Sequence, residues 1–167
     1  LYMNAGAYGG EMKDVVVSAN YIDASGETRS VNADEMKLSY RHSVFAENPD
    51  NIITDMILRL EKGNHDEIQA EMKTLMQKRL DKQPLEYPSA GSTFKRPEGS
   101  YASLLIEQCG LKGLTYGGAQ VSEKHSGFVV NRGNATFEDV IKLTDEVKKT
   151  VLEKTGYSLE LEPIILK

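Results

Sequence analysis

Tryptophan is absent from this 167-residue chain, and there are only one cysteine, five prolines and three histidines. The lone Cys109 cannot pair within the chain, which excludes a disulfide framework and suits a reducing, cytoplasmic setting. One thiol and three scattered histidines offer no zinc-ligand spacing, so no metal site is expected. No apolar run reaches the length of a membrane span and no signal peptide is visible, so no membrane partner is expected either. An excess of basic charge is also missing. Lys and Arg number 20 against 25 Asp and Glu, for a net charge of −5 and a pI near 5.3. That balance argues against a nucleic-acid partner, whose binding face is usually basic. A chain of this length buries about two-thirds of its unfolded surface, enough for one domain or two small ones.

Among what is present, the stretch Ser89 to Gly99 (Ser-Ala-Gly-Ser-Thr-Phe-Lys-Arg-Pro-Glu-Gly) is the richest in chemistry. Glycine lets a backbone bend tightly and approach a ligand closely, and Ser92 follows Gly91 directly. Lys95 and Arg96 add two cations before Pro97 stiffens the exit. A hydroxyl, open N–H groups and paired cations suit an anionic ligand with a proton to move. An ordinary surface loop has the same composition, and that reading stays open.

Taken in order, the chain opens Leu1-Tyr2-Met3-Asn4-Ala5-Gly6-Ala7-Tyr8-Gly9-Gly10, with no polar tail. Natural termini are usually frayed and polar, so the chain is expected to be a portion of a longer protein. The glycines and alanines offer either a backbone that a phosphate or flat ring can approach, or a tight turn between strands. The run Val15 to Ile22, a turn at Asp23–Gly26 and a strand at Thr28–Val31 predict a hairpin. Asn32 is expected to cap one helical turn. Arg41 lies beside Tyr40 and two hydroxyl residues, where stacking and hydrogen bonds can hold a guanidinium. Residues 51–60 read as a strand.

Gly63-Asn64 predicts the start of a helix over 65–81, with Ile68, Met72, Leu75, Met76 and Leu80 on one face as core packing. Two prolines, Pro84 and Pro88, predict an extended crossing between domains. Ser100 is expected to cap a short helix over 101–108 that stops at Gly110. Residues 113–118 are turn-rich, and 119–131 read as a polar loop entering a buried strand, with His125 at its polar edge. Thr136 should cap a strong helix over 137–155, with Val140, Leu143, Val147, Val151 and Leu152 inward and Gly156 ending it. Strict alternation over 159–166 predicts a last strand with Glu160 and Glu162 on one face. Periodicity switches between two and 3.6 without βαβ spacing, so the fold class is α+β, in two pieces meeting near Lys82.

Five ordered motifs carry a resemblance: Asn-Ala-Gly-Ala-Tyr-Gly (4–9), Tyr-Arg-His-Ser (40–43), Gly-Ser-Thr-Phe-Lys-Arg-Pro (91–97), Val-Ser-Glu-Lys-His-Ser-Gly-Phe-Val-Val-Asn (121–131) and Leu-Glu-Leu-Glu (159–162). Together they resemble the UDP-N-acetylenolpyruvoylglucosamine reductase (MurB) family, flavoenzymes of bacterial peptidoglycan precursor synthesis, over essentially the whole chain. The resemblance implies FAD and NADPH as cofactors and a UDP-sugar as substrate. It implies that residues 1–82 are the C-terminal part of an FAD-binding α+β domain, and that 83–167 are the substrate-binding α+β domain. The missing N-terminal part, with the loop that holds the flavin pyrophosphate, would be this chain's own partner.

The same resemblance assigns catalytic roles to Ser92 (proton donor to substrate carbon), Arg41 (beside flavin and substrate carboxylate) and Glu162 (the carboxylate of the closing motif). The family pattern there is Leu-Glu-Pro-Glu-Val, whereas Leu161 and Pro163 flank Glu162 here; a different register would put Ile164 at that place, and spacing from Gly156 favours Glu162. Asn4, Ala5, Gly6, Ala7, Tyr8 and Gly9 correspond to a flavin-contacting loop. Tyr40, Lys82, Lys95, Arg96 and His125 correspond to positions around the UDP-sugar or the nicotinamide. Ser92, Arg41 and Glu162 are then expected to converge on one pocket, and the isolated chain is expected to be inactive. A non-catalytic nucleotide-sugar binding module remains the alternative.

Overall fold

In the computed structural model residues 1–166 are described, and Lys167, the last residue of the expected second domain, lies outside them. The fold is α+β, and every strand pairing is antiparallel. The chain divides into two compact units, 1–72 and 73–167.

The first unit begins with a hairpin of β1 (Gly6–Ala7) and β2 (Gly10–Glu11). Its two-residue turn has positive φ at both Tyr8 (53°) and Gly9 (89°), the combination that matches the right-handed twist of the flanking strands. β3 (Val16–Ile22) and β4 (Thr28–Asn32) form the predicted hairpin, and β5 (Ile52–Leu58) adds to the other edge of β3 in the order β4-β3-β5. β-branched residues supply the stiffness that strands favour. Val16, Ala19, Met36 and Phe45 form the core, and Tyr21 meets Phe45 edge-on at 5.5 Å. The N-cap of the single turn at Asp34–Met36 is Ala33 rather than Asn32, which stands one residue ahead; its Oδ1 accepts from the Glu35 amide while Glu35 returns a bond to the Asn32 amide. A short α1 (Val44–Glu47) follows.

Helix α2 (His65–Lys82) runs across the division between the units. Asn64 caps it, accepting from the amides of Asp66 and Glu67. Its apolar stripe is not core packing as expected: Ile68, Met72, Met76 and Leu80 are all exposed, Met72 by 58%. The chain between the two prolines is also not extended. It turns, with Leu85 N–H donating to the Gln83 carbonyl and Tyr87 N–H to that of Pro84.

The second unit packs the sheet β6-β9-β8-β7 (Ser89–Ser92, Phe128–Asn131, Ala119–Val121 and Thr115–Tyr116) against α3 (Ala102–Gln108) and α4 (Phe137–Thr155). The core joins Phe94, Leu105, Ile106, Val121, Val129, Leu143, Val147, Val151 and Leu159. Helix α4 has the predicted ends: Thr136 and Asp139 form a reciprocal capping box, and Gly156 follows in the left-handed region. Its inner face is Leu143, Val147 and Val151; Leu152, expected to point inward, is 50% exposed, since it lies one residue, or about 100°, past Val151. The N-cap of α3 is Tyr101 rather than Ser100. A small hairpin, β7–β8, occupies what read as turn and polar loop. Residues 159–166 do not form the expected strand. A single bridge, Phe94 to Leu161, forms there.

Candidate functional site

In the second unit the Ser92 loop is shaped by a register shift. Ser89 pairs with Val130 and Ser92 with Phe128, so that two residues of β6, Ala90 and Gly91, stand against one of β9, Val129. A bulge of this kind re-aims the side chains beyond it, and Gly91, at φ 86°, supplies the left-handed residue. Ser92 emerges exposed while the next two residues, Thr93 and Phe94, are buried.

The terminal segment lies antiparallel beside this loop. The Glu162 amide donates to the Thr93 carbonyl at 3.0 Å, and the Lys95 amide donates to the Glu160 carbonyl at 2.9 Å. Phe94 and Leu161, paired between those bonds, turn into the core. The half-buried Glu162 is thus bonded through its backbone to the residue after Ser92. Glu160, by contrast, forms an ion pair with Lys95 at 3.2 Å. Arg96 stacks on the Tyr101 ring, its guanidinium carbon 4.3 Å from the ring centroid.

His125 is also drawn to this region. Its ring packs edge-on against Phe128, 4.9 Å between centroids, and Phe128 is the strand partner of Ser92. The Gly127 amide donates to His125 Nδ1 at 3.1 Å, which leaves Nε2 to carry the ring proton. Burial pushes the imidazole below its ordinary pKa, so the ring stays neutral near pH 7. Lys82 is exposed in the last turn of α2, whose Leu80 carbonyl accepts from Lys124 Nζ at 2.7 Å.

A pocket absent from the sequence expectations lies on the same sheet. It is lined by Glu86, Tyr87, Gln120, Ser122, Glu123, Lys124, Val130 and Arg132, and Arg132 stacks over Tyr87 at 4.1 Å. Ser122, Glu123, Lys124 and Val130 fall within the 121–131 motif, and the pairing of β8 with β9 sets Gln120 beside Val130.

The other expected residues belong to the first unit. Tyr40 and Arg41 form the tip of a two-residue turn closed by two hydrogen bonds between Ser39 and His42. Arg41 takes a left-handed conformation (φ 53°) and stacks at 5.2 Å on Tyr40. Asn4 anchors that turn. It is buried; its Nδ2 donates to Glu11 Oε2 (2.7 Å) and to the Ser39 carbonyl (3.2 Å), and its Oδ1 accepts from the Lys13 amide (2.9 Å). Lys13 and Asn4 together hold the Glu11 carboxyl below the usual carboxylate range. The Ser43 hydroxyl donates to the Tyr2 carbonyl at 2.6 Å, a second tie to the N-terminal segment. Asn4 therefore serves as a structural pin, whereas Ala5, Gly6, Ala7, Tyr8 and Gly9 present an exposed hairpin. Ser92 and Glu162 belong to one unit and Arg41 to the other.

Known proteins resemble this chain in sequence and in fold. Residues 83–166, half of the chain, match the family model for the C-terminal domain of UDP-N-acetylenolpyruvoylglucosamine reductase. The reductase of Caldanaerobacter subterraneus subsp. tengcongensis is 53% identical over 159 residues, which are 95% of this chain and 52% of that protein. The reductase of Agathobacter rectalis is 54% identical over 160 residues, 96% of this chain and 51% of that protein. The chain thus spans about half the length of the curated relatives it matches. The crystal structure of the Thermus caldophilus reductase (MurB) superposes with a TM-score of 0.85 at 34% identity, covering 99% of this chain and 58% of that one. On the matched domain and this shared fold, the chain belongs to the UDP-N-acetylenolpyruvoylglucosamine reductase family.

Proposed function

We propose that this chain is the C-terminal portion of an FAD-dependent reductase that uses NADPH to convert UDP-N-acetylglucosamine enolpyruvate to UDP-N-acetylmuramate, in peptidoglycan precursor synthesis. Residues 1–82 would complete an FAD-binding domain, and residues 83–167 would bind the UDP-sugar. The observation that carries the reading is the backbone bond from Glu162 to Thr93, which seats a terminal carboxylate residue beside the Ser92 loop.

The exposed hairpin after Asn4 fits a flat ring: a Cβ added at Gly9 or Gly10 would meet nothing within 4 Å, so the backbone there is open. Bound FAD, reduced by NADPH, would supply the hydride. The residues of this chain then have two tasks. An enol ether accepts a hydride only if charge moves onto its carboxylate, and the Arg41 guanidinium stabilises that developing charge. Its stacking on Tyr40 and its fixed turn hold it ready, so little reorganisation is needed when the charge forms. The Ser92 hydroxyl then delivers a proton to the adjacent carbon. Serine is a weak acid, so the proton transfer needs help from Lys95, from Arg96 or from a water ordered by Glu162. Lys82 and neutral His125, a hydrogen-bond donor through Nε2, serve the substrate's polar groups.

The test is Ser92→Ala in the full-length protein, followed as two half-reactions. NADPH-driven flavin reduction should persist while formation of UDP-N-acetylmuramate stops. Equal loss of both half-reactions would contradict the role of Ser92.

A further inference from the structure

We infer that Thr93 is a positioning residue for the reductase reaction, holding Ser92 and the terminal segment in register through its side chain. The inference rests on the role proposed for Ser92. Three hydrogen bonds meet at this residue, which is only 5% exposed. Its amide donates to the Gly127 carbonyl at 2.8 Å, its carbonyl accepts from the Glu162 amide at 3.0 Å, and its hydroxyl oxygen accepts from the Val129 amide at 2.9 Å. The last bond is the unusual one. Along an unbroken ladder a strand amide finds a backbone carbonyl on its neighbour. Here the register shift between Ser89 and Ser92 interrupts the ladder, and a side-chain hydroxyl satisfies the Val129 amide instead.

The consequence reaches both expected catalytic groups. Ser92 precedes Thr93 directly, and Glu162 is attached to its carbonyl. If the hydroxyl is removed, the Val129 amide is buried without an acceptor, and the backbone must shift to hydrate it. That shift moves Ser92 relative to Glu162 without removing either. Small displacements of this kind are expensive in rate, since misplacement by an ångström costs on the order of 100-fold. Valine matches threonine in shape but offers no acceptor, whereas serine keeps the acceptor and loses a methyl group.

The test uses Thr93→Val, Thr93→Ser and Ser92→Ala in the full-length protein. Thr93→Val should lower the kcat of product formation by about 10- to 100-fold, with flavin reduction by NADPH and the KM for the UDP-sugar nearly unchanged, and Thr93→Ser should restore most of the rate. In the present chain, Thr93→Val should also speed amide hydrogen exchange at Val129 and Glu162 while the amides of α4 stay protected. Wild-type turnover in Thr93→Val, or loss of flavin reduction together with product formation, overturns the inference. So does a Thr93→Ser variant as slow as the valine. If Ser92→Ala itself leaves product formation intact, it is the reading of Ser92 that fails. If Ser92→Ala blocks the reaction and Thr93→Val does not, only the positioning role fails.

Discussion

Helix α4 offers a sharp quantitative test of the second unit, because two leucines nine residues apart have opposite environments. Leu143 is 1% exposed in the core beneath the sheet, while Leu152 is 50% exposed. Truncating a fully buried leucine to alanine loses its transfer free energy and leaves a cavity, about 3 kcal/mol together. At Leu152 only half of the side chain is buried, no enclosed cavity forms, and alanine is the better helix former, so the cost is about 1 kcal/mol or less. A domain of 60–100 residues loses roughly 4–8 °C of melting temperature per kcal/mol, so the falls should be roughly 12–24 °C and at most 8 °C. Calorimetry of the chain carrying each substitution, with far-UV circular dichroism to follow helix loss, measures both. Equal falls for the two variants would mean that α4 packs through a face other than Leu143, Val147 and Val151.

Three further outcomes follow from the geometry. Thr136→Ala breaks the capping box at the start of α4 and should cost about 1 kcal/mol, read as a melting point lower by about 4–8 °C, while Thr136→Ser should be close to neutral. His125 has a folded-state pKa below its ordinary 6.5, chiefly through burial and also through nearby Lys112, with Glu107 opposing. The unfolded chain therefore binds the proton more readily; this contribution to stability is complete above 6.5 and is lost as pH falls towards the folded-state value. Urea titrations between pH 7.5 and 5 should show that slope, and His125→Gln should flatten it. Met72→Lys and Met76→Lys should change stability by no more than about 0.5 kcal/mol and reduce binding of a hydrophobic dye, since both side chains are already exposed; a loss of several kcal/mol would show that the stripe is covered.

Elements whose signals are local and redundant were legible in the sequence. The β3–β4 hairpin has a β-branched run and a turn of Asp23 to Gly26, and α4 has Thr136, a period of 3.6 and Gly156, so propensity, pattern and caps agree. The β7–β8 hairpin was not legible, because Thr115-Tyr116 and Ala119–Val121 are too short to show alternation. Its tightness is tertiary: a Cβ at Gly118 would lie 2.3 Å from the Gly133 carbonyl oxygen. The terminal strand failed for a related reason. Alternation over 159–166 predicts a strand, but only the bridge of Leu161 to Phe94 forms, and local pattern names no neighbour. For the candidate site, the motifs point to Ser92 and Glu162, and their backbone connection through Thr93 is visible only with the register of β6 on β9. Thr93 itself has no sequence signal, since a buried threonine after a serine is unremarkable until the strand beside it is known.

The stripe on α2 shows the limit of periodicity from the other side. A repeat of apolar residues at helical spacing reports a face that favours burial; it does not report what provides the burial. Between residues 52 and 80 the exposed large apolar side chains are Ile52, Met56, Ile57, Leu58, Leu60, Ile68, Met72, Met76 and Leu80. Single exposed apolar residues need no explanation, but so many in one stretch do. The core of the second unit, by contrast, is closed by its own α3 and α4. The favourable burial that the α2 pattern encodes is therefore unmet among the described residues of a chain that spans half of its relatives' length. The residues for which the sequence argument holds through to packing are those whose partners lie within the same unit, and Leu143, Val147 and Val151 are among them.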